Sequence, residues 1–249
     1  WKVENGVLHL FIFAKMRFLK KRGKDRKCKH FRNKNEENRL YFAVVAGSTA
    51  LIALNIFRQI GSMGGALLQS FFNVTSSITT TGFTVWDFTQ WPVFSQSVIV
   101  LLMLMGACAG STGGGLKVSR ILIMVKAIRQ EVNQFIHPRS VKAVEMDGKS
   151  LDKNVVKSVS VYLLLFALVF ISSVLLISFD KYDVLTNFTA VLATINNVGP
   201  GLNAVGPTGN FGGFSYFSKF VFIFDMLAGR LELYPLLVLF APSVWRKNG

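Results

Sequence analysis

Two seven-residue stretches decide the fold, SITTTGF at residues 77–83 and TINNVGP at residues 194–200. They lie 117 residues apart, and both read hydroxyl, isoleucine, polar, polar, β-branched, glycine. The same shift places Phe71 on Phe188 and the apolar stretch 40–57 on the stretch that begins at Lys157. Self-similarity at a fixed distance indicates a duplicated structural unit. The sequence therefore predicts two copies of one arrangement.

Each copy opens with a long apolar segment. Residues 40–57 carry no charge, and residues 155–179 carry only Lys157. About 20 apolar residues are enough to cross a hydrocarbon core of about 30 Å. The chain has 249 residues, of which 51% are apolar and only 16% are charged, whereas soluble domains carry about 25% charged residues. These features favour an integral membrane protein over a soluble domain.

A shorter apolar segment follows each long one, at residues 62–78 and 184–195. Both are too short to cross a bilayer, and both lead into polar, glycine-containing backbone. Such backbone is tolerated at membrane depth only where it is buried in protein or lines a water-filled cavity. We therefore predict an all-α integral membrane fold with two repeats of span, pore helix and span, in which the filter loops are re-entrant as in potassium channels.

Backbone carbonyls in such loops can replace the hydration shell of a potassium ion. Glycine permits the dihedral angles that aim these carbonyls, and a pore helix points its partially negative C-terminal end at the ion. The alternative is that both stretches are simple turns between helices, and their shared register favours the filter. The predicted potassium-coordinating residues are Thr80, Thr81, Gly82 and Phe83 in the first copy and Asn197, Val198, Gly199 and Pro200 in the second.

The net charge of +15 is unevenly distributed. Lys and Arg concentrate in residues 15–39 and 117–157 and are absent from residues 59–116 and 202–218. This alternation is the positive-inside pattern, so the basic blocks are predicted to be cytoplasmic loops next to membrane lipid. Nucleic-acid binding by the basic stretch at residues 20–34 is the less favoured alternative, and no nucleic-acid partner is expected. The two cysteines, Cys28 and Cys108, are predicted to be free thiols.

The run GACAGSTGGGLKVSR, residues 106–120, follows an apolar segment directly. Gly110 and Gly115 have the spacing of a phosphate-binding loop, but Leu116 stands where the lysine is needed and Lys117 comes one residue late. A nucleotide site is therefore disfavoured. With no catalytic constellation elsewhere, we expect neither a cofactor nor an enzyme.

Four motifs together resemble the Trk/Ktr/HKT superfamily of potassium transporters: SSITTTGF, GACAGSTGGGLKVSR, NNVGPG and AGRLELYPLLVLFAPSVW. The last looks most like the Trk type of bacterial potassium uptake protein. That family carries four repeats around one pore, so the chain resembles a C-terminal half with repeats three and four. The expected division is a helix tail and basic loop at 1–39, a pore repeat at 40–136, a cytoplasmic linker at 137–154 and a second pore repeat at 155–249.

The resemblance also implies how the pathway is controlled. It makes the glycine run an intramembrane gate below the filter, whose residues are Gly106, Gly110, Gly113, Gly114 and Gly115. It places Arg230 against that gate, where its charge would repel cations. The alternatives are a passive kink that lets helices pack closely and a structural ion pair for Arg230. No role is assigned to Asp225.

The resemblance further implies potassium uptake across the bacterial plasma (inner) membrane by a multi-pass protein. It implies a homodimer and a cytoplasmic nucleotide-binding regulatory ring as partners. Two other functions stay open. One is a membrane assembly or interaction subunit that does not conduct, and the other is a nucleotide-dependent membrane enzyme built on the glycine run.

Overall fold

The computed structural model describes residues 36–111, 113–137 and 143–231. Cys28, Glu232, most of the basic block at 15–39 and the closing residues of the GRLELYP motif lie outside the described residues. The described part of the unit that begins at Glu37 is mostly helical. Its helices are α1 (Glu36–Ile60), α2 (Met63–Ile78), α3 (Val93–Leu104), α4 (Val118–Ile136), α5 (Lys153–Ile177), α6 (Val184–Ile195) and α7 (Tyr216–Leu231).

Helices α1 and α5 have 25 residues each, and both are long and apolar enough to cross a membrane. Their large side chains point outward to an unusual degree, with Leu54 66% exposed on α1 and Leu175 65% exposed on α5. Extensive apolar exposure is costly in water. An outer surface of this kind is typical of helices that cross a membrane.

Helices α2 and α6 are shorter and lie further inside. A polar residue caps the start of each helix. The Ser62 side chain accepts from the N–H of Gly65 in α2, and the Asp183 side chain accepts from the N–H of Thr186 in α6. Every residue of α6 from Thr189 to Ile195 is buried, since α6 packs between α5, α7 and α3. A 12-residue helix enclosed in this way does not need the length of a membrane span.

The two halves share an apolar core. Ile52 and Ile56 of α1 pack with Val74 of α2 and Ile99 of α3, and Leu192 of α6 joins the same cluster from the second half. Two further clusters join α5, α6 and α7. The loops that follow α2 and α6 are therefore positioned by side chains from both halves.

A small hairpin links α4 to α5. Its strands β1 (Glu145–Met146) and β2 (Lys149–Ser150) pair antiparallel, and Asp147 and Gly148 between them have φ angles of 54° and 74°. Two successive positive φ angles are those of a type I′ turn, which Asp-Gly favours. After the hairpin, only residues 151–152 lead into α5.

Candidate functional site

Helices α2 and α6 end in the same hydrogen-bonded motif. After α2, the N–H of Thr80 bonds the carbonyl of Ser77 at 3.2 Å and the N–H of Thr81 bonds that of Ser76 at 3.0 Å. After α6, the N–H of Asn197 bonds Thr194 at 3.0 Å and that of Val198 bonds Ala193 at 2.9 Å. This pattern is a Schellman C-cap, in which one residue adopts the left-handed conformation.

We call residues 79–83 the first loop and residues 196–200 the second loop. The left-handed residues occur at matching positions in both. In the first loop Thr80 and Gly82 have φ angles of 55° and 74°, and in the second Asn197 and Gly199 have 54° and 110°. Where every second residue is left-handed, the backbone is neither a regular helix nor a regular strand, and its carbonyls point in directions that those structures do not allow. Threonine is an unusual choice there, because a β-branched side chain at positive φ is strained.

The two loops touch each other. A Cβ added to Gly82 would overlap the carbonyl oxygen of Val198 and would lie 3.4 Å from the ring of Pro200. Gly199 has no atom within 4 Å of the corresponding position. Both helices therefore direct their C-terminal ends, each with a partial charge of roughly −0.5, towards one shared region.

Each loop also has its own polar anchor. In the first, the hydroxyl of Ser76 donates to the carbonyl of Phe83 at 2.6 Å, while the Phe83 ring is 65% exposed. In the second, the side-chain amide of Asn197 donates to the carbonyl of Met226 on α7 at 3.1 Å. The first loop is thus tied to its own helix, and the second is tied to a neighbouring helix.

Between α3 and α4, residues 105–117 form what we call the glycine segment, of which Thr112 lies outside the described residues. Met105 and Leu116 pair as a short parallel bridge, and the N–H of Gly106 donates to the carbonyl of Leu116 at 2.7 Å. The N–H of Val118 adds a bond to Ala107 at 3.4 Å. The segment is therefore a loop closed at its neck, which leaves the ends of α3 and α4 side by side.

The tip of the glycine segment lies against both loops. A Cβ on Gly113 would be 2.9 Å from the Thr80 hydroxyl, and one on Gly114 would overlap the carbonyl oxygen of Asn196. One on Gly115 would be 2.8 Å from the side-chain oxygen of Asn196. Gly106 packs inside the segment against Gly114, whereas Gly110 faces open space. The segment thus meets the C-terminal ends of α2 and α6 through its glycines.

Lys117 holds this segment from within. Its side chain is 8% exposed, and its ammonium group donates to the carbonyls of Ser111 at 2.9 Å and of Gly113 at 2.5 Å. On the other flank, the carboxylate of Glu37 on α1 accepts from the N–H of Ala109 at 2.6 Å. The sequence assigned Lys117 to a basic block without predicting its contacts, and the structure shows that its side chain binds carbonyls of the glycine segment.

Two charged residues of α7 differ in their surroundings. Arg230 is exposed in the last described turn, directly after Gly229, whose added Cβ would overlap the carbonyl of Ile195. Among the described residues, no hydrogen bond or ion pair is found between Arg230 and the glycine segment. Asp225 is fully buried and accepts a hydrogen bond from the Ser173 hydroxyl of α5 at 2.7 Å. That bond ties α7 to α5.

The family model for TrkH, described as a cation transport protein, matches residues 51–247. This chain belongs to the TrkH family.

Relatives of known name agree with this membership. The Trk system potassium uptake protein TrkH of Salmonella typhimurium is 41% identical over 181 residues, which is 73% of this chain and 37% of that protein. The Trk system potassium uptake protein TrkG of Escherichia coli is 33% identical over 212 residues, or 84% of this chain and 43% of that protein. These relatives are named as transport proteins and not as enzymes.

The fold agrees as well. The crystal structure of the potassium transporter TrkH from Vibrio parahaemolyticus matches with a TM-score of 0.78 and 36% identity, covering 86% of this chain and 46% of that one. The chain therefore spans less than half the length of the TrkH-family proteins that it matches.

Sequence reasoning located the glycines and both loops but missed three contributors to the site, namely Glu37, Lys117 and Asn196. Lys117 had a visible signal, because a lysine two residues after a glycine run can fold back onto free carbonyls. Glu37 had none, since its partner Ala109 is 72 residues away. Asn196 stood next to the predicted residues, but its contact with the glycine segment depends on how α6 meets that segment.

Proposed function

We propose that this chain forms part of a potassium uptake pathway, with the first and second loops as two segments of a carbonyl-lined selectivity filter and the glycine segment as a gate next to them. The observation that carries the proposal is the matched pair of left-handed residues in two loops that abut each other. Membership in a family whose named relatives take up potassium supports the choice of ion.

The chemistry of the loops suits a weakly hydrated monovalent cation. Such an ion gives up water only to a set of dipoles of similar strength, which backbone carbonyls provide. Two helix C-termini converge on the loops, and their partial negative charges favour a cation without holding it as tightly as a carboxylate would. Thr80, Thr81, Gly82 and Phe83 from the first loop and Asn197, Val198, Gly199 and Pro200 from the second contribute to this filter.

A gate role for the glycine segment follows from its contacts. Its tip meets both loops through residues that have no side chain, so a small displacement would open space next to the filter. Gly106 and Gly113 to Gly115 make close contacts, whereas Gly110 faces open space and allows the backbone to change conformation. Arg230 belongs to this gate in the proposal, with its positive charge opposing the passage of cations until the segment moves.

The surroundings follow from the exposed surfaces. In this proposal the outward apolar faces of α1 and α5 contact lipid, and the protein is a multi-pass protein of the bacterial inner membrane. In the same proposal, the protein works as a homodimer that binds a cytoplasmic nucleotide-sensing ring through its basic loops.

The test is potassium uptake by the protein expressed from its natural gene in a bacterium that lacks its own uptake systems. We expect growth at low potassium and rubidium uptake that excess sodium inhibits weakly. Gly82→Val should reduce this selectivity for potassium over sodium, because it crowds Val198. Gly64→Ala is the control, since Gly64 faces open space on α2. Growth no better than the empty vector, with the protein present in the membrane, would refute the proposal.

A further inference from the structure

Two opposite charges hold the glycine segment from its two flanks. On one flank, Glu37 accepts from the N–H of Ala109 at 2.6 Å, and the thiol of Cys108 donates to the side-chain oxygen of Asn38 at 3.6 Å. On the other flank, Lys117 donates to the carbonyls of Ser111 and Gly113. The tip between these flanks comprises the described residues 108–111 and 113. Its other hydrogen bonds are internal, from the N–H of Ser111 to the carbonyl of Cys108 at 2.8 Å and from the N–H of Gly113 to the hydroxyl of Ser111 at 3.1 Å.

The neck of the segment makes such ties important. Met105 pairs with Leu116 and the N–H of Gly106 bonds the carbonyl of Leu116, so the ends of α3 and α4 are joined without any contact from the tip. Within the described residues, the neck restrains only the base of the loop. The position of the tip is therefore set by its contacts with the two filter loops and by the two charged flanks.

Lys117 is suited to hold a mobile tip. An ammonium group with 8% exposure of its side chain is stable only when oxygens replace its water, and charge-assisted hydrogen bonds are roughly twice as strong as neutral ones. The carbonyls of Ser111 and Gly113 supply such oxygens. The buried ammonium group therefore needs the carbonyls of the tip as hydrogen-bond acceptors, and those carbonyls are held in place by the ammonium group.

Glu37 connects the tip to a different element. It lies in the first turn of α1, where a negative charge is favoured by the helix dipole, and Asn38 beside it contacts Cys108. A shift of this turn would pull on Ala109 directly. The beginning of α1 is therefore coupled to the tip through two adjacent side chains.

We propose that Glu37 and Lys117 are positioning residues that clamp the tip of the glycine segment against the filter loops, and that the first turn of α1 is the element through which the clamp is released. The effect on ion flux rests on the proposed function, whereas the effect on the position of the tip does not.

Cys108 lies within the clamped tip and reports its release. Membranes that contain the wild-type protein or a variant are treated with N-ethylmaleimide, the folded protein is isolated by size exclusion in detergent, and labelling is quantified on the peptide that contains Cys108. Lys117→Met removes two charge-assisted hydrogen bonds and Glu37→Gln removes the charge from a third. In both variants we expect the labelling rate to rise about tenfold, the factor that corresponds to about 1.4 kcal/mol.

Matched controls make the same chemical changes away from the segment. Lys126→Met removes an ammonium that bonds Glu145 at 2.7 Å, and Glu131→Gln neutralises an exposed carboxylate of α4. Labelling in both should stay within about twofold of the wild type. If Lys117→Met does not accumulate as folded protein, Glu37→Gln decides the test. Its labelling rate is then measured as a function of pH, so that the effect of the Glu37 charge on thiol ionisation is separated from release of the tip. Labelling of the folded clamp variants no faster than that of the controls would overturn the clamp.

Rubidium flux per folded molecule gives the second measurement, and we expect it to rise in both clamp variants. Faster labelling with unchanged flux would overturn the coupling between the clamp and the gate. A wild-type protein that carries no rubidium would refute the proposed function, and the labelling result would still decide the clamp.

Discussion

The first loop and the second loop have the same sequence pattern and similar dihedral angles, but different neighbours hold them. Gly82 in the first loop is enclosed by Val198 and Pro200, whereas Gly199 in the second faces open space. The first loop is anchored by Ser76 of its own helix, and the second by Met226 of α7. Glycine is thus required in the first loop for both space and backbone conformation, and in the second for conformation alone.

Alanine substitutions at the two glycines should have the largest effects on stability, and they separate the need for space from the need for a positive φ angle. Gly199→Ala should cost about 1–2 kcal/mol, because an L side chain is disfavoured at positive φ. Gly82→Ala should cost that amount and about 1–3 kcal/mol more, because the new Cβ overlaps backbone that cannot rotate away. Thermal unfolding in detergent measures both variants. Equal losses would show that enclosure by Val198 does not distinguish the loops.

Exchanging the left-handed residues Thr80 and Asn197 should change the free energy of unfolding less, and in opposite directions at the two positions. Asn197→Thr places a β-branched residue at a φ of 54° and removes the hydrogen bond to Met226, so we expect a loss of about 1–3 kcal/mol. Thr80→Asn replaces a strained residue with one that tolerates this conformation, so we expect a gain of up to about 1 kcal/mol.

The same unfolding measurement checks this pair, with Thr80→Ala as the control that removes β-branching without adding an amide. A loss of stability in Thr80→Asn comparable to that in Asn197→Thr would mean that the contact of Thr80 with Gly113 outweighs its backbone strain.

The smallest expected effect is a loss of stability of α6 at low pH. Hydrogen bonds from Thr186, and then from the Asn203 side chain, lower the pKa of Asp183 below its ordinary value. A carboxyl group with a lowered pKa in the folded state contributes stability above its unfolded pKa, and this contribution is lost as pH falls through the folded value. Because Ser62 caps α2 without a charge, only the helix that carries the second loop should weaken below about pH 4.

Amide hydrogen exchange in α2 and α6 at pH 6 and pH 3.5 measures this difference. We expect protection in the first turn of α6 to fall by up to a few fold, while that of α2 is unchanged after correction for the intrinsic rates. Asp183→Asn should abolish the pH dependence. A fall of equal size in α2 would contradict the assignment to Asp183.

Much of the fold could be read from local sequence. The segment predicted at 184–195 is helix α6 with the same bounds, and the segment predicted at 62–78 is α2 preceded by its cap Ser62. Apolar length, polar capping residues and glycine positions are properties of neighbouring residues, so they can be recognised without knowledge of the packing.

The site was less accessible to sequence reasoning. Lys117 was grouped with the cations of a cytoplasmic block and was given no contacts, whereas the structure shows it buried against Gly113. A lysine enters the interior only where carbonyls converge on it, and that convergence appears once the neck brings the two ends of the glycine segment together.

The sequence establishes that the chain is apolar enough for a membrane, that one seven-residue pattern occurs twice, and where each short apolar segment gives way to glycine-containing backbone. It can do so because hydrophobic length and left-handed dihedral angles depend on residues adjacent in the chain. Only the tertiary structure decided that Gly82 is enclosed and Gly199 is not, and that Glu37 and Lys117 hold the glycine segment. These facts depend on the approach of backbone segments from separate helices, and the geometry of that approach is set by packing across the whole unit.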